Sequence, residues 1–292
     1  MAHLCTRNVT DTRPFYSEAS NRGRTLAEYA GCALRPGGIK LSEPAQVAAL
    51  DMLSSAYDGR LFVCPHDEIS PDDKAAFAED VGSSRGADTY GELDLIGFLD
   101  MLWRVGAKPG ARFYDLGAGS GKLVAMAWLA GLHATGIELS EGRWAASQSA
   151  LTELVDLVSK AALPLGGADG LPAMCESGIS FLHSSFFKVD FTDADLVFVA
   201  STMFTKSMVA KIAELARWMK PGAVIVAYHG LHDLGRFGQF PELVEIGEII
   251  ERTSWCLDTC WRVHEVLHAP AESEQRPQHL RQPGDQAAKP HQ

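Results

Sequence analysis

From residue 112 onward, short apolar runs alternate with segments of helical periodicity, and this alternation constrains the fold more than any other feature. Strands separated by helices are typical of a parallel sheet that has helices on both faces. The strand candidates are residues 112–115, 134–138, 179–183, 195–200 and 223–228. The helix candidates between them are 121–130, 141–160 and 206–219.

Two further apolar runs close this region and predict a different kind of pairing. They cover about 243–250 and 261–267, and too few residues separate them for a crossover helix. Consecutive strands that are joined without a crossover pair in the antiparallel direction. The sequence therefore predicts an α/β fold: a doubly wound, seven-stranded sheet with an antiparallel C-terminal hairpin, preceded by an N-terminal helical cap.

The remaining parts of the chain differ in composition. Residues 43–57 have an apolar helical face that consists of Val47, Leu50, Leu53 and Tyr57. An acidic stretch that also contains Gly and Ser, 67–86, predicts a loop, and 93–105 predicts a helix that leads into the first strand. The expected organisation is a loosely ordered arm at 1–40, a helical cap at 41–87, the α/β domain at 88–268 and a disordered, Pro- and Gln-rich tail at 269–292.

Charge and hydropathy limit the partners and the location. The 292 residues include 26 basic and 37 acidic ones, for a formal net charge of −11 at pH 7. Coating nucleic acid by bulk electrostatics needs a dense Lys/Arg surface, so a nucleic acid partner is not expected. Neither a membrane-spanning run nor a secretory signal peptide is predicted. With scattered cysteines that are expected to stay reduced, these features indicate the cytoplasm or the nucleus.

Two cysteines and two histidines near the C-terminus have the regular spacing of a possible metal site. They are Cys256, Cys260, His264 and His268. On a helix, the first and the last of these would lie ~18 Å apart at 1.5 Å per residue, too far for one tetrahedral ion. We therefore predict no metal site and a strand that carries these residues incidentally.

A glycine-rich turn follows the first strand candidate and precedes a helix. Gly117, Gly119 and Gly121 alternate after Asp115, and glycines there let a ligand lie against main-chain N–H groups at a helix N-terminus. A P-loop would need different residues at 116 and 123, and a dinucleotide loop would read G-x-G-x-x-G. An acidic residue beside the turn suits a ligand that carries an amine and a sulfonium. The turn thus favours S-adenosylmethionine, although glycines alone also fit a purely structural turn.

A second acid strengthens this interpretation. Glu138, followed by Leu139, ends the second strand candidate. In doubly wound folds, an acid at this place accepts hydrogen bonds from the ribose hydroxyls. Both residues are therefore candidates for cofactor binding.

With these residues in view, the chain resembles the class I S-adenosylmethionine-dependent methyltransferases. Within them it is similar to the disruptor-of-telomeric-silencing type, the histone lysine methyltransferases that lack a SET domain. Thr89-Tyr90-Gly91-Glu92 resembles their Tyr-Gly-Glu covering loop. Ser184-Ser185-Phe186-Phe187 stands where the family has Gly-Asp-Phe-Leu, and Phe198–Phe204 where it has Phe-Val-Asn-Asn-Phe-Ala-Phe. Ser254-Trp255 also has a counterpart, and the likeness covers roughly 88–268.

The resemblance implies roles for individual residues. The methionine moiety of the cofactor would be covered by Tyr90 and Glu92 and would lie on Asp115, Gly117, Gly119 and Gly121. The ribose would be held by Glu138 beside Leu139, and the adenine by Ser185 and Phe186. The catalytic, acceptor-side candidates are Ser201, as the residue nearest the acceptor channel, and Tyr228, in the channel wall with Met203 and Phe204.

Methyl transfer from S-adenosylmethionine to a protein lysine amine is the function that follows from this resemblance. The family's paired channel asparagines are Ala200 and Ser201 here. That difference, together with the acidic composition, leaves a small-molecule N- or O-methyltransferase as an alternative. A protein that binds S-adenosylmethionine without catalysis is a second alternative. The expected partner is accordingly a protein or a small-molecule methyl acceptor.

Overall fold

The computed structural model describes residues 34–59, 70–81, 91–160, 178–271 and 273–277. Its α-helices are α1 (Glu43–Ala56), α2 (Pro71–Val81), α3 (Leu95–Arg104), α4 (Lys122–Leu129), α5 (Glu141–Lys160) and α6 (Lys206–Ala216). Its strands are β1 (Arg112–Leu116), β2 (His133–Glu138), β3 (Ile179–His183), β4 (Leu196–Val199), β5 (Val224–Ala227), β6 (Leu243–Glu251) and β7 (Thr259–Val266).

The seven described strands form one sheet in the order β3-β2-β1-β4-β5-β7-β6. The first five in this order are parallel, whereas β7 pairs antiparallel with both β5 and β6. The strand order reverses between β1 and β4, and ligands of open α/β sheets bind at the carboxyl ends of strands beside such a reversal. The predicted doubly wound, seven-stranded sheet with its antiparallel hairpin is confirmed.

Two apolar cores hold the helices on opposite faces of the sheet. The first includes α1, α3, α4 and α5 and contains the fully buried Trp128 and Phe113. The second packs α6 onto the other face through residues such as Ile212. Every residue of α4 is buried, so the glycine turn that precedes this helix is attached to a rigid element.

The described residues before the α/β domain include two helices, α1 and α2, which differ from the prediction in two details. The acidic stretch predicted as a loop contains α2, whose first turn carries Asp72 and Asp73 and is capped by the Ser70 hydroxyl, 3.0 Å from the backbone nitrogen of Asp73. Acids in the first turn stabilise a helix through its dipole. The buried face of α1 consists of Ala45, Ala49 and Leu53, while Val47, predicted to face inward, is exposed.

The two ends of the chain are described only in part. Residues 1–33 of the predicted loose arm lie outside the described residues. Of the predicted disordered tail, the structure describes 269–271 and 273–277. Glu274 lies 2.7 Å from Arg217, and Arg276 lies 3.4 Å from Asp190, so these residues contact the body of the domain. Among the described helices, none combines the length and the apolar character that a membrane crossing requires.

Candidate active site

The glycine turn lies between β1 and α4, and its glycines meet different surroundings. All three have positive φ angles, of 92° at Gly117, 57° at Gly119 and 85° at Gly121, a conformation that other residues adopt only with strain. A Cβ atom at Gly121 would lie 2.4 Å from the ring of Phe181. A Cβ atom at Gly117 would meet no atom within 4 Å. Gly121 is thus required for packing, whereas Gly117 borders open space in which a ligand can lie.

Glu138 reaches across from the end of β2 and binds this turn. One carboxylate oxygen accepts a hydrogen bond of 2.7 Å from the backbone N–H of Gly119, and the other accepts one of 2.8 Å from Ser140. The side chain is buried, and parallel pairing of β1 with β2 sets Asp115 opposite Gly136. The structure therefore joins Glu138 to the glycine turn.

Asp115 is a second buried acid in the same place. Its burial, together with the charge of Glu138, raises the pKa of its carboxyl from 3.8 to about 8. Two neighbouring buried carboxyls favour a cationic ligand, because a positive charge offsets both their repulsion and the cost of their desolvation. The residues present therefore fit a ligand with an ammonium and a sulfonium group, which S-adenosylmethionine carries.

The Tyr-Gly-Glu segment is attached on two sides. Glu92 forms an ion pair of 2.7 Å with Lys122, the first residue of α4, and both side chains are largely buried. On the other side, Ser254 donates its backbone N–H to the carbonyl oxygen of Glu92 over 2.8 Å and accepts the backbone N–H of Glu92 at its hydroxyl over 3.0 Å. Gly91 faces the ring of Trp255 so closely that a Cβ atom would lie 2.2 Å from it. Tyr90 lies outside the described residues.

The helices before the domain also contact this site, which sequence reasoning did not predict. The Tyr57 hydroxyl, just after α1, donates a hydrogen bond of 2.9 Å to the carbonyl oxygen of Ser120 in the glycine turn. Burial and the nearby charge of Glu92 raise the pKa of Tyr57, so the hydroxyl remains a donor. Asp73 of α2 accepts the backbone N–H of Glu141, at the start of α5, at 3.2 Å. In the sequence, the polar hydroxyl of Tyr57 at the end of an apolar helix face was the only sign that this residue contacts the site.

The predicted adenine residues follow β3. Ser184 donates its backbone N–H to the carbonyl oxygen of Glu138 over 3.0 Å, which brings this segment beside β2. The buried Ser185 hydroxyl accepts the backbone N–H of Phe187 at 3.3 Å and caps a short 3₁₀ helix, Phe186–Lys188. The ring of Phe186 stacks on Phe204, with centroids 5.9 Å apart. The carbonyl oxygen of Leu139 lies 3.0 Å from Nε2 of His183, at the end of β3.

An open cleft of about 780 Å³ lies at the carboxyl ends of β4 and β5 and beside the β6–β7 turn. Its wall includes Phe204, Tyr228, His229 and Trp255. Two of these residues also contact cofactor-side candidates, since Phe204 stacks on Phe186 and Trp255 packs on Gly91. The cleft therefore adjoins Phe186 and the Tyr-Gly-Glu segment, and we refer to it as the acceptor cleft.

The two acceptor-side predictions have different outcomes in the geometry. Tyr228 lines the acceptor cleft and is 38% exposed. Ser201 is 1% exposed and is not part of the cleft wall, because the 3₁₀ turn Ser201–Met203 directs its side chain into the protein. The prediction that Ser201 is nearest the acceptor is thus not matched by the position of its hydroxyl. Met203, also predicted in the wall, is exposed and does not line the cleft.

Two histidines and an acid form a polar cluster at the cleft: His232 and Glu245 line its wall, and His264 is buried behind them. His264 lies 3.7 Å and His232 3.9 Å from Glu245. The Nε2 atom of His264 accepts the backbone N–H of Leu231 at 3.1 Å, and Arg262 pairs with Glu245 at 2.9 Å. These contacts join the loop after β5 to the hairpin, and the potential ligand atoms of the three residues lie within 4.8 Å of one another, a separation that could hold a metal ion.

A sheet of this order, with a glycine turn after β1 and a buried acid after β2, defines the class I S-adenosylmethionine-dependent methyltransferases. S-adenosylmethionine is the cofactor of this class. Comparison with known proteins narrows the class, because a family model described as histone methylation protein DOT1 matches residues 82–259. The chain belongs to that family.

Individual relatives are more distant. The chain is 29% identical over 143 residues to a histone-lysine N-methyltransferase, H3 lysine-79 specific, of Debaryomyces hansenii; the match covers 48% of this chain and 12% of that protein. An RNA methyltransferase from Salinibacter ruber, solved with S-adenosyl-L-homocysteine, is 19% identical over 57% of this chain and 87% of its own, with a TM-score of 0.36. TrmN from Thermus thermophilus is 18% identical over 59% of this chain and 48% of its own, with a TM-score of 0.42.

Proposed function

We propose that the protein transfers a methyl group from S-adenosylmethionine to the side-chain amine of a lysine in a polypeptide. The observation that carries this proposal is the joining of the glycine turn, Asp115 and Glu138 in one buried site, together with an aromatic acceptor cleft that contacts the cofactor-side residues Phe186 and Gly91. Membership in a histone methylation family supports the amine acceptor. Because the cleft wall includes the exposed residues Lys206 and Asp258, it is open to solvent and suits a side chain on a polypeptide better than an enclosed metabolite.

Each cofactor-side residue has a proposed task. Asp115 faces the positively charged methionine moiety of the cofactor, and Glu138 faces its ribose. The backbone N–H groups of the glycine turn contact the ligand in the open space beside Gly117. Glu92 and Tyr90 cover the methionine moiety, and Lys122 holds Glu92 in place through the ion pair of 2.7 Å. Ser185, Phe186 and Leu139 border the adenine and ribose. When bound, the cofactor would supply a methyl group attached to a sulfonium, whose sulfur leaves as a neutral thioether.

The protein contributes mainly orientation and an aromatic wall. Holding donor and acceptor in line can contribute ~7–11 kcal/mol to lowering the barrier. Phe204 and Tyr228 supply apolar wall to the acceptor cleft, and a low-dielectric wall lowers the pKa of a lysine ammonium from ~10.4. Tyr228 thereby acts on the acceptor, whereas Ser201 acts through its backbone.

The proposal is tested with methyl-labelled S-adenosylmethionine in an extract that contains both proteins and metabolites. We expect label in the protein fraction and, after acid hydrolysis, in methylated lysine. Label in small molecules alone would instead establish the small-molecule methyltransferase. Calorimetric binding of S-adenosylmethionine without any transfer would establish a non-catalytic binding protein.

A further inference from the structure

We propose that His229 is the proton acceptor for the amine that is methylated in the acceptor cleft. This inference rests on the proposed function. A protein lysine enters the cleft as an ammonium ion, and its nitrogen has a free lone pair only after one N–H bond breaks. A residue that takes this proton has to lie in the cleft wall, to be neutral near pH 7 and to offer a ring nitrogen that is free to accept.

The position of His229 meets the first requirement. It lies two residues after the end of β5, in the wall of the acceptor cleft. Its ring meets the Tyr228 ring edge-on, with centroids 5.0 Å apart, so an aromatic contact restricts its orientation. The neighbouring aromatic wall includes Phe204, which also touches the cofactor-side residue Phe186.

The hydrogen bonding of the ring leaves one nitrogen available. The His229 ring has a backbone hydrogen-bonding contact with Ser201, at the carboxyl end of β4, that favours the protonated ring. In a neutral imidazole, one nitrogen donates and the other accepts, so the neutral ring keeps one nitrogen with a lone pair. The carboxyl ends of β4 and β5 thereby set up a proton acceptor at the sheet edge where ligands bind.

The charged surroundings keep the ring neutral. Burial, followed by the positive charges of Arg262 on β7 and Lys206 at the start of α6, lowers the pKa of His229 below its ordinary value of 6.5, against the opposing effect of the Ser201 bond. His229 is therefore neutral at pH 7 and able to accept a proton. In the step, the lysine N–H bond breaks, its electron pair stays on the amine nitrogen, and the proton binds the free nitrogen of His229. The open cleft then lets water remove this proton before the next cycle.

The test compares the pH dependence of methyl transfer in His229→Asn and His229→Gln with that of the wild type, using unfolded core histones as the acceptor. Each variant keeps a side-chain amide N–H that can reach Ser201, from the position of Nδ1 in asparagine and of Nε2 in glutamine. Neither variant has a basic nitrogen. Loss of general-base catalysis is expected to lower kcat/KM ~10²–10⁴-fold at pH 7. The rate should recover about tenfold per pH unit towards the pKa of the free amine, ~10.4. At saturating S-adenosylmethionine, the wild type should stay level above pH 7. His268→Asn, on the exposed chain after β7, is the matched control and should behave as wild type.

A second measurement does not depend on turnover. Nitrogen NMR of the ligand-free protein should show one neutral tautomer of His229 at pH 7 and a titration midpoint below 6.5. Variants that stay within threefold of the wild type, a pH profile parallel to that of the wild type, or titration above pH 7 would overturn the assignment. If the wild type binds S-adenosylmethionine but methylates no polypeptide, the proposed function falls and this inference falls with it. A failure of His229 alone is recognised by an active wild type.

Discussion

The two halves of the sheet's carboxyl edge differ in how the chain builds them. After β1 and β2, the site consists of backbone groups and buried acids from two short segments, the glycine turn and Glu138. After β4 and β5, the acceptor cleft consists of side chains from separate segments, including Phe204, Tyr228 and Trp255. A cofactor of constant shape can be recognised by a compact local motif. An acceptor is recognised by a cavity that distant residues form together, and these residues can change independently.

Glycine substitutions test whether packing and ligand space are separate functions in the cofactor half. Gly121→Ala should destabilise the fold by ~2–5 kcal/mol, because a Cβ atom meets Phe181 at 2.4 Å and the φ of 85° is strained for alanine. Gly117→Ala should cost only the strain, ~1–2 kcal/mol, yet abolish binding of S-adenosylmethionine. Urea denaturation and calorimetry measure the two effects. Equal stability of the two variants would contradict the distinction.

Asp115→Asn should weaken binding of S-adenosylmethionine by ~1.5–3 kcal/mol, because it removes a buried anion that faces a cationic ligand. Since the pKa of Asp115 is raised to about 8, cofactor binding to the wild type at pH 7 should release protons, and affinity should rise as the pH approaches 8. Titration calorimetry in two buffers with different ionisation enthalpies measures this release. Proton release that is unchanged in the variant would exclude Asp115 as its source.

The same raised pKa predicts a stability change in the ligand-free protein. A folded pKa above the ordinary value of 3.8 means that this group stabilises the fold at low pH and that the stabilisation is lost as the pH rises through about 8. Asp115→Asn should therefore gain in Tm relative to the wild type as the pH rises from about 4 to about 8. A difference in Tm that stays constant across this range would contradict the raised pKa.

Tyr228→Ala tests whether the acceptor half is energetically separate. The KM for a polypeptide acceptor should rise about three- to tenfold, since an aromatic contact contributes ~0.5–1.5 kcal/mol. The Kd for S-adenosylmethionine should not change. Glu138→Gln should have the reverse effect: the Kd for S-adenosylmethionine should rise, and the KM for the acceptor at saturating cofactor should not change. If both variants shifted both constants alike, the two halves would act as one site.

Tyr57→Phe has the smallest expected effect and tests the helical region before the domain. It removes the hydrogen bond of 2.9 Å to Ser120, which should cost ~1 kcal/mol and raise the Kd for the cofactor several-fold. Val47→Ala, on the exposed face of α1, is the control and should leave the Kd unchanged. A Tyr57→Phe variant with the cofactor affinity of the wild type would show that α1 serves the fold alone.

The two halves also differ in how far the sequence predicts them. The succession of strands and helices, the antiparallel hairpin and the glycine turn follow from local periodicity and from a motif whose geometry is set within a few residues. The inward turn of Ser201 depends on the 3₁₀ turn after β4, and the pairing of Lys122 with Glu92 joins positions 30 residues apart. Helix α2 was missed because its acidic first turn resembles a loop in composition. The position of Ser201 and the Lys122–Glu92 pair depend on tertiary contacts that no local pattern contains, whereas the Ser70 cap of α2 is a local signal.

The central claim is that the cofactor half binds S-adenosylmethionine through the space over Gly117. Isothermal titration of S-adenosylmethionine into the wild type and into Gly117→Ala tests this claim most directly, with a folded-state check by thermal unfolding. The account predicts one-to-one binding by the wild type and none by the variant, with both proteins folded. Absence of binding by the wild type, or equal affinity in a folded Gly117→Ala variant, would contradict it.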